Sequence, residues 1–195
     1  MNGTGFTVEF ATARPMRLAR WWAQVLDWTV DTGSPEPVVR PAGPPGVPLL
    51  FTAASREKTG KNGVHLDLRS ESHEHERTML LRLFNAGARF ADVGQGEDVP
   101  WVVMTDPDGN ELCLLEPRKS DVDTGAVHSV VVDSADPALD AQRWTETTPL
   151  IAVHREPHLV ALHAPDRTGP YLEFLNAHGP GTKLRVRPQG TEQPE

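Results

Sequence analysis

Residues 97–116 read EDVPWVVMTDPDGNELCLLE. Two apolar runs, Trp101 to Met104 and Leu112 to Leu115, flank the stretch Asp106-Pro107-Asp108-Gly109-Asn110. Proline presets φ in such a turn and glycine or asparagine accepts φ > 0, so the segment predicts a β-hairpin. The same shape occurs twice more. Pro37 to Arg40 and Val47 to Thr52 flank a turn at Pro41 to Gly46, and His158 to Ala164 and Tyr171 to Leu175 flank one at Pro165 to Gly169. Gly46, Gly109 and Gly169 each precede the returning strand, so the chain reads as a repeated unit.

A strand and a helix stand before each hairpin. In the first unit Thr7-Val8-Glu9-Phe10 leads to a helix over residues 15–26. Pro15 suits its first position, where no N–H is needed, and Leu18, Trp21, Trp22 and Val25 form an apolar stripe. In the second, Val64 to Arg69 alternates strictly. Val64, Leu66 and Leu68 share one face, and His65, Asp67 and Arg69 the other. Ser70 or Ser72 can cap the next helix, whose stripe is Met79, Leu80, Leu83 and Phe84 and whose terminator is Gly87. The third unit starts with His128 to Val132. Its helix, after Asp136-Pro137, has only Leu139, Ala141 and Trp144 as apolar support.

This order predicts an α+β fold of βαβββ modules that form a cupped sheet. A single module cannot bury its sheet well, whereas two can close on each other. The expected arrangement is one domain at residues 4–117 made of units one and two, a linker at 118–126, an incomplete third module at 127–178, and a mobile tail at 179–195 with a short strand at Lys183 to Arg187. The third module would either cover a sheet edge or pair with its equivalent in a second chain, giving a homodimer.

Composition narrows the function. A net charge of −8 argues against a duplex nucleic-acid binder, which needs a basic face. One cysteine, Cys113, allows no intrachain disulfide. No basic and apolar leader opens the chain, and no apolar run approaches the ~20 residues of a membrane span. The expectation is a cytoplasmic protein whose partner is a small molecule, not a nucleic acid or a membrane. Phosphate-binding glycine loops, nucleophile elbows and zinc-finger spacings are all missing from the sequence.

Four stretches together resemble the vicinal-oxygen-chelate superfamily of glyoxalase, bleomycin-resistance and extradiol-dioxygenase-like proteins. They are ARWWAQVLDW (19–28), KNGVHLDL (61–68), VGQGEDVPWVV (93–103) and DPDGNE (106–111). The glyoxalase-like subgroup common in actinobacteria is the nearest in character. The resemblance implies a ligand or metal at the centre of the cup and chemistry that polarises two neighbouring substrate oxygens. Members act as isomerases, epimerases, dioxygenases, thiol transferases or metal-free binding proteins, so fold alone does not choose.

Metal-using members carry ligands on the first and last strand of each unit. Here those positions fall on Thr7, Leu50, His65 and Cys113, and in the third unit on Ser129 and Glu173. The usual set is incomplete, so no cofactor is expected. A divalent metal at a shifted site of Glu9, His65 and Glu111 is the alternative. The leading reading is a protein that binds a small organic molecule, with Glu9, His65, Asp67, Trp101, Glu111 and Cys113 lining the pocket and His65 as donor, base or ligand. One alternative is a metal-dependent lyase, isomerase or dioxygenase centred on His65 and Glu111. Another is a non-catalytic structural or interaction module. Whether the chain is an enzyme stays open at this point. Trp21 and Trp22 read as core, His73 and His75 as solvated, and Cys113 as a small buried apolar group. The spacing of His154, His158 and His163 points to no site.

Overall fold

The computed structural model describes residues 5–54, 58–94, 96, 99–119, 123–177 and 184–189. Among them, module one comprises β1 (Phe6–Thr12), α1 (Pro15–Leu26), β2 (Thr29–Asp31), β3 (Val38–Arg40) and β4 (Leu49–Ala53). Module two comprises β5 (Val64–Leu68), α2 (His73–Asn85), β6 (Arg89–Phe90), β7 (Trp101–Thr105) and β8 (Glu111–Leu115). Module three comprises β9 (Val127–Ser134), α3 (Pro137–Thr147), β10 (Ile151–Glu156), β11 (Leu159–His163) and β12 (Tyr171–Asn176), and β13 (Leu184–Pro188) follows. In each module the last strand returns parallel to the first: β4 to β1, β8 to β5 and β12 to β9. The fold is α+β, as the sequence predicts.

Local chemistry explains the helices. α1 starts at Pro15 and ends at Asp27, which turns left-handed at φ 57°. Ser72 caps α2 by accepting from His75 N–H at 3.1 Å, and Asp136 caps α3 by accepting from Leu139 N–H at 3.0 Å. Gly87, at φ 98°, follows α2 where the chain must reverse.

The pairing of modules differs from the expected one. β5 runs antiparallel to β9, with His65 opposite Val131 and Asp67 opposite Ser129. Modules two and three therefore share one eight-stranded sheet, ordered β10-β11-β12-β9-β5-β8-β7-β6. Module one forms a second sheet, β13-β1-β4-β3-β2. The outer edge of β1 is taken by β13, antiparallel, with Phe6 opposite Pro188. The strand read at residues 183–187 is thus a structural member of the first sheet. The remainder of the tail from residue 178 on, apart from 184–189, lies outside the described residues, as does part of the linker, residues 120–122.

A single apolar core joins the two sheets through the helices. Phe10 of β1 stacks on Phe51 at 5.0 Å and meets Trp22 of α1 at 5.4 Å. Phe6 packs edge-on to Trp144 of α3 at 6.2 Å, and Trp144 meets Phe174 of β12 at 6.3 Å. Trp22, Phe6, Phe10, Phe51 and Leu66 are all fully buried. Each such side chain stabilises the fold by roughly 1.5–3 kcal/mol relative to exposure. One member of the expected α2 stripe stays outside: Phe84 is 59% exposed and lies against Phe90 at the surface. Because the apolar faces turn toward the helices, the polar alternation on β5 is delivered to the opposite, concave face of the large sheet.

Candidate functional site

The concave face carries a hollow of about 400 Å³. Six of its polar groups come from the alternating positions of four strands, His65 and Asp67 on β5, Glu111 and Cys113 on β8, Asp133 on β9 and Glu173 on β12, and Lys61 and Arg118 join them from outside the strands. Trp101, Val103, Leu115, Val131, Leu159 and Leu175 form apolar walls. Val103, Cys113 and Leu115, with Trp101 and Ala91 beside them, make an apolar cluster separate from the main core. Buried apolar side chains on the cup face, away from the helices, give the hollow a greasy floor.

Of the six residues expected to line the pocket, the fold brings together five: His65, Asp67, Trp101, Glu111 and Cys113. Glu9 is not among them. It lies on β1 in the other sheet, ion-paired with Arg187 of β13 and accepting from the Thr52 hydroxyl at 3.0 Å. The shifted metal site of Glu9, His65 and Glu111 therefore does not form, because β13 and not β5 flanks β1. Glu111 is also committed: Lys58 Nζ lies 2.5 Å from Oε1, and Asn62 N–H donates to Oε2 at 3.1 Å.

The polar centre is His65, Asp67, Cys113 and Glu173. His65 Nε2 approaches Asp67 Oδ1 at 3.4 Å, and the Ser129 hydroxyl donates to Asp67 Oδ2 at 3.2 Å. His65 Nδ1 and Asp67 Oδ1 are buried without a hydrogen-bond partner among the described residues. A buried polar atom left unpaired costs on the order of 1–3 kcal/mol, so a ligand that satisfies both gains that amount. Burial, with the nearby Asp67 carboxylate, pushes the Glu173 carboxyl up to about 7. The same two causes push the Cys113 thiol well above the ordinary thiol range, so it is a neutral S–H.

Ligand atoms of His65, Asp67 and Cys113 lie within 4.8 Å of one another. An imidazole, a carboxylate and a thiolate suit a borderline cation such as Zn²⁺ or Fe²⁺. The two unpartnered atoms belong to two of these three donors, so the donor set fits a divalent metal, provided Cys113 gives up its proton on binding.

The Asp-Pro-Asp-Gly-Asn motif does structural work. Asp106 Oδ1 accepts from the N–H groups of Asp108 and Asn110, both at 2.9 Å. Its Oδ2 accepts from Asn110 Nδ2 at 2.8 Å and from Trp22 Nε1 at 3.2 Å, which pins the hairpin to α1. Burial pushes this carboxyl up to about 6 against those four donors. Asn110 in turn accepts from Asn62 Nδ2 at 3.1 Å, and Lys61 Nζ pairs with Asp133 at 2.9 Å. These contacts hold the segment before β5 against β8 and β9.

Sequence reasoning missed the far end of the cup. His128, His163, Tyr171 and Arg118 line a neighbouring hollow of about 550 Å³, which shares Arg118, Leu159 and Glu173 with the first. One signal for its location was available. Glu173 stands four residues beyond Gly169, as Cys113 stands four beyond Gly109.

A cup made by two βαβββ modules, with polar groups converging from first and last strands, defines a class of ligand-holding and metal-holding proteins. The sequence model of the glyoxalase-like domain matches residues 7–115, more than half of the chain. The chain belongs to this glyoxalase-like family, within the vicinal-oxygen-chelate superfamily. Glyoxalase I from Zea mays is a structural relative at 12% identity and TM-score 0.64, covering 94% of this chain and 71% of that one. A putative dioxygenase from Bacillus subtilis is another, at 15% identity and TM-score 0.62, covering 93% and 67%. At these identities the likeness is one of fold. No curated protein matches the sequence significantly. The family match takes in modules one and two, consecutive in sequence, whereas the shared sheet joins modules two and three.

Proposed function

We propose that this protein binds a small organic molecule in the cup of the eight-stranded sheet. One observation carries the reading: an apolar-walled hollow of about 400 Å³ whose polar centre holds two buried atoms that make no hydrogen bond among the described residues, His65 Nδ1 and Asp67 Oδ1. Pockets of this size with few convergent polar groups are typical of ligand sites. A structural module would fill the same space with side chains. The test is a fragment screen by saturation-transfer NMR on the wild type and on Val131→Phe, which fills the hollow without adding charge. Hits that vanish in the variant support the reading. Hits that persist unchanged, or no hits in the wild type, overturn it.

A second reading has its own support in the His65, Asp67 and Cys113 cluster. A divalent metal held by these three would supply Lewis-acid polarisation of substrate oxygens. Glu173, pushed up to about 7, can exchange a proton near neutral pH on the same face. Elemental analysis of protein purified without chelator or histidine tag decides. Near-stoichiometric metal that is lost in both His65→Ala and Cys113→Ser would establish the metal site on which the enzyme reading depends. Trace metal in the wild type would retire that reading.

A further inference from the structure

The hollow beside the polar centre differs from it in charge. Arg118, Lys119 and Arg167 stand around it, and among the described residues no carboxylate lies within ion-pair distance of any of the three. The chain as a whole carries a net charge of −8, so three unpaired cations around one cavity depart from the background. Among the described residues the sole carboxylate in its lining is Glu173. Arg167 adopts φ 59°, a left-handed conformation unfavourable for any residue with a Cβ, in a turn that glycine would make more easily.

Below the rim, His163 is 1% exposed, with Nδ1 at 3.0 Å from the carbonyl of Ala164 and Nε2 at 2.8 Å from that of Gly169. Tyr171 lies between this ring and that of His128, at 4.6 and 5.4 Å. The wall thus presents cations with aromatic surface between them, and Leu159 continues into the apolar hollow next door.

We propose that this end of the cup is an oxyanion subsite, and that the ligand is an amphiphilic organic anion. Its carboxylate or other oxyanion head sits between Arg118 and Arg167. Its apolar body lies against Trp101, Val131 and Leu159. The inference rests on the cup being a ligand site and adds the chemical class of the ligand. Guanidinium groups are suited to the head because they offer paired donors in a fixed plane.

The experiment uses a matched pair of fluorescent probes, 2-naphthylacetate and its neutral amide, titrated into the full chain at two ionic strengths. The acid should bind about tenfold or more tighter than the amide, and the advantage should shrink with salt. Arg118→Gln combined with Arg167→Gln should abolish the acid's advantage while leaving the amide's affinity unchanged. Both arginines are exposed and make no ion pair among the described residues, so folding is not at stake, and the amide serves as the internal control. Val131→Phe should weaken both probes. Equal affinity for acid and amide, with both weakened by Val131→Phe, overturns the oxyanion subsite and leaves the cup reading standing. No saturable binding of either probe, or binding untouched by Val131→Phe, overturns both.

Discussion

Replacing Glu173 by Gln should flatten the pH dependence of stability. Glu173 points into the cup from β12, where burial and Asp67 raise its carboxyl from the ordinary 4.5 to about 7. A raised carboxyl means that the folded chain holds this proton more tightly than the unfolded chain. The contribution favours folding at low pH and is lost as pH rises from 4.5 through 7. Integrated between pH 5 and pH 8, the wild type should lose about 2.5 kcal/mol from this group alone. Urea unfolding at pH 5, 6, 7 and 8, in the presence of a chelator, measures it. The buried Asp106, pushed up to about 6, contributes a drop in the same direction, but it is present in both proteins and cancels in the difference. Wild type and Glu173→Gln should therefore diverge in slope whatever the variant does to absolute stability. Parallel stability curves would refute the argument that Glu173 is held protonated by the cup.

Further outcomes follow from packing and burial. Leu66→Ala, at a fully buried position on central β5, should cost roughly 2–5 kcal/mol by urea denaturation; a loss below about 1 kcal/mol would mean that this strand is not central to the core. Gly125→Ala should lower the melting temperature more than Gly87→Ala does. Both have positive φ, but a Cβ at 125 would sit 2.6 Å from the Pro45 carbonyl oxygen, while one at 87 meets open space; equal losses would argue against the close approach of those two segments. Cys113 should resist alkylation by iodoacetamide at pH 8 in the native protein and react readily in urea, since its thiol is buried and held protonated. Native reactivity near that of a free thiol would contradict this.

Much of the fold can be read from periodicity. The alternation at Val64 to Leu68 assigns each side chain to its face, and the structure puts His65 and Asp67 in the cup for that reason. The α1 stripe and its Pro15 start predict a helix with the observed bounds. What periodicity does not carry is the identity of the neighbouring edge. β1, β5 and β9 are all first strands with one apolar face, and a strand's alternation is the same whichever strand lies beside it. The choice is made by β13, a five-residue segment whose pattern, burying Leu184 and partly burying Val186 with arginines between, looks like a solvated tail in isolation. That one pairing explains why Glu9 left the site and Glu173 entered it. Phe84 shows the complementary limit. Helical spacing places it on the stripe, yet only Met79 and Leu83 of that helix are buried and Phe84 stays at the surface.

The strand that seals β1 also sets an order of events. β1 is synthesised long before residues 184–188, and its outer edge lacks that partner until they exist. Throughout synthesis of the intervening modules, a strand carrying Phe6, Val8 and Phe10 presents open backbone donors and acceptors to whatever is near. Removal of residues 184–189 from the finished chain would recreate that exposure permanently. The short segment thus protects the finished chain, and not the nascent one, from edge-to-edge association.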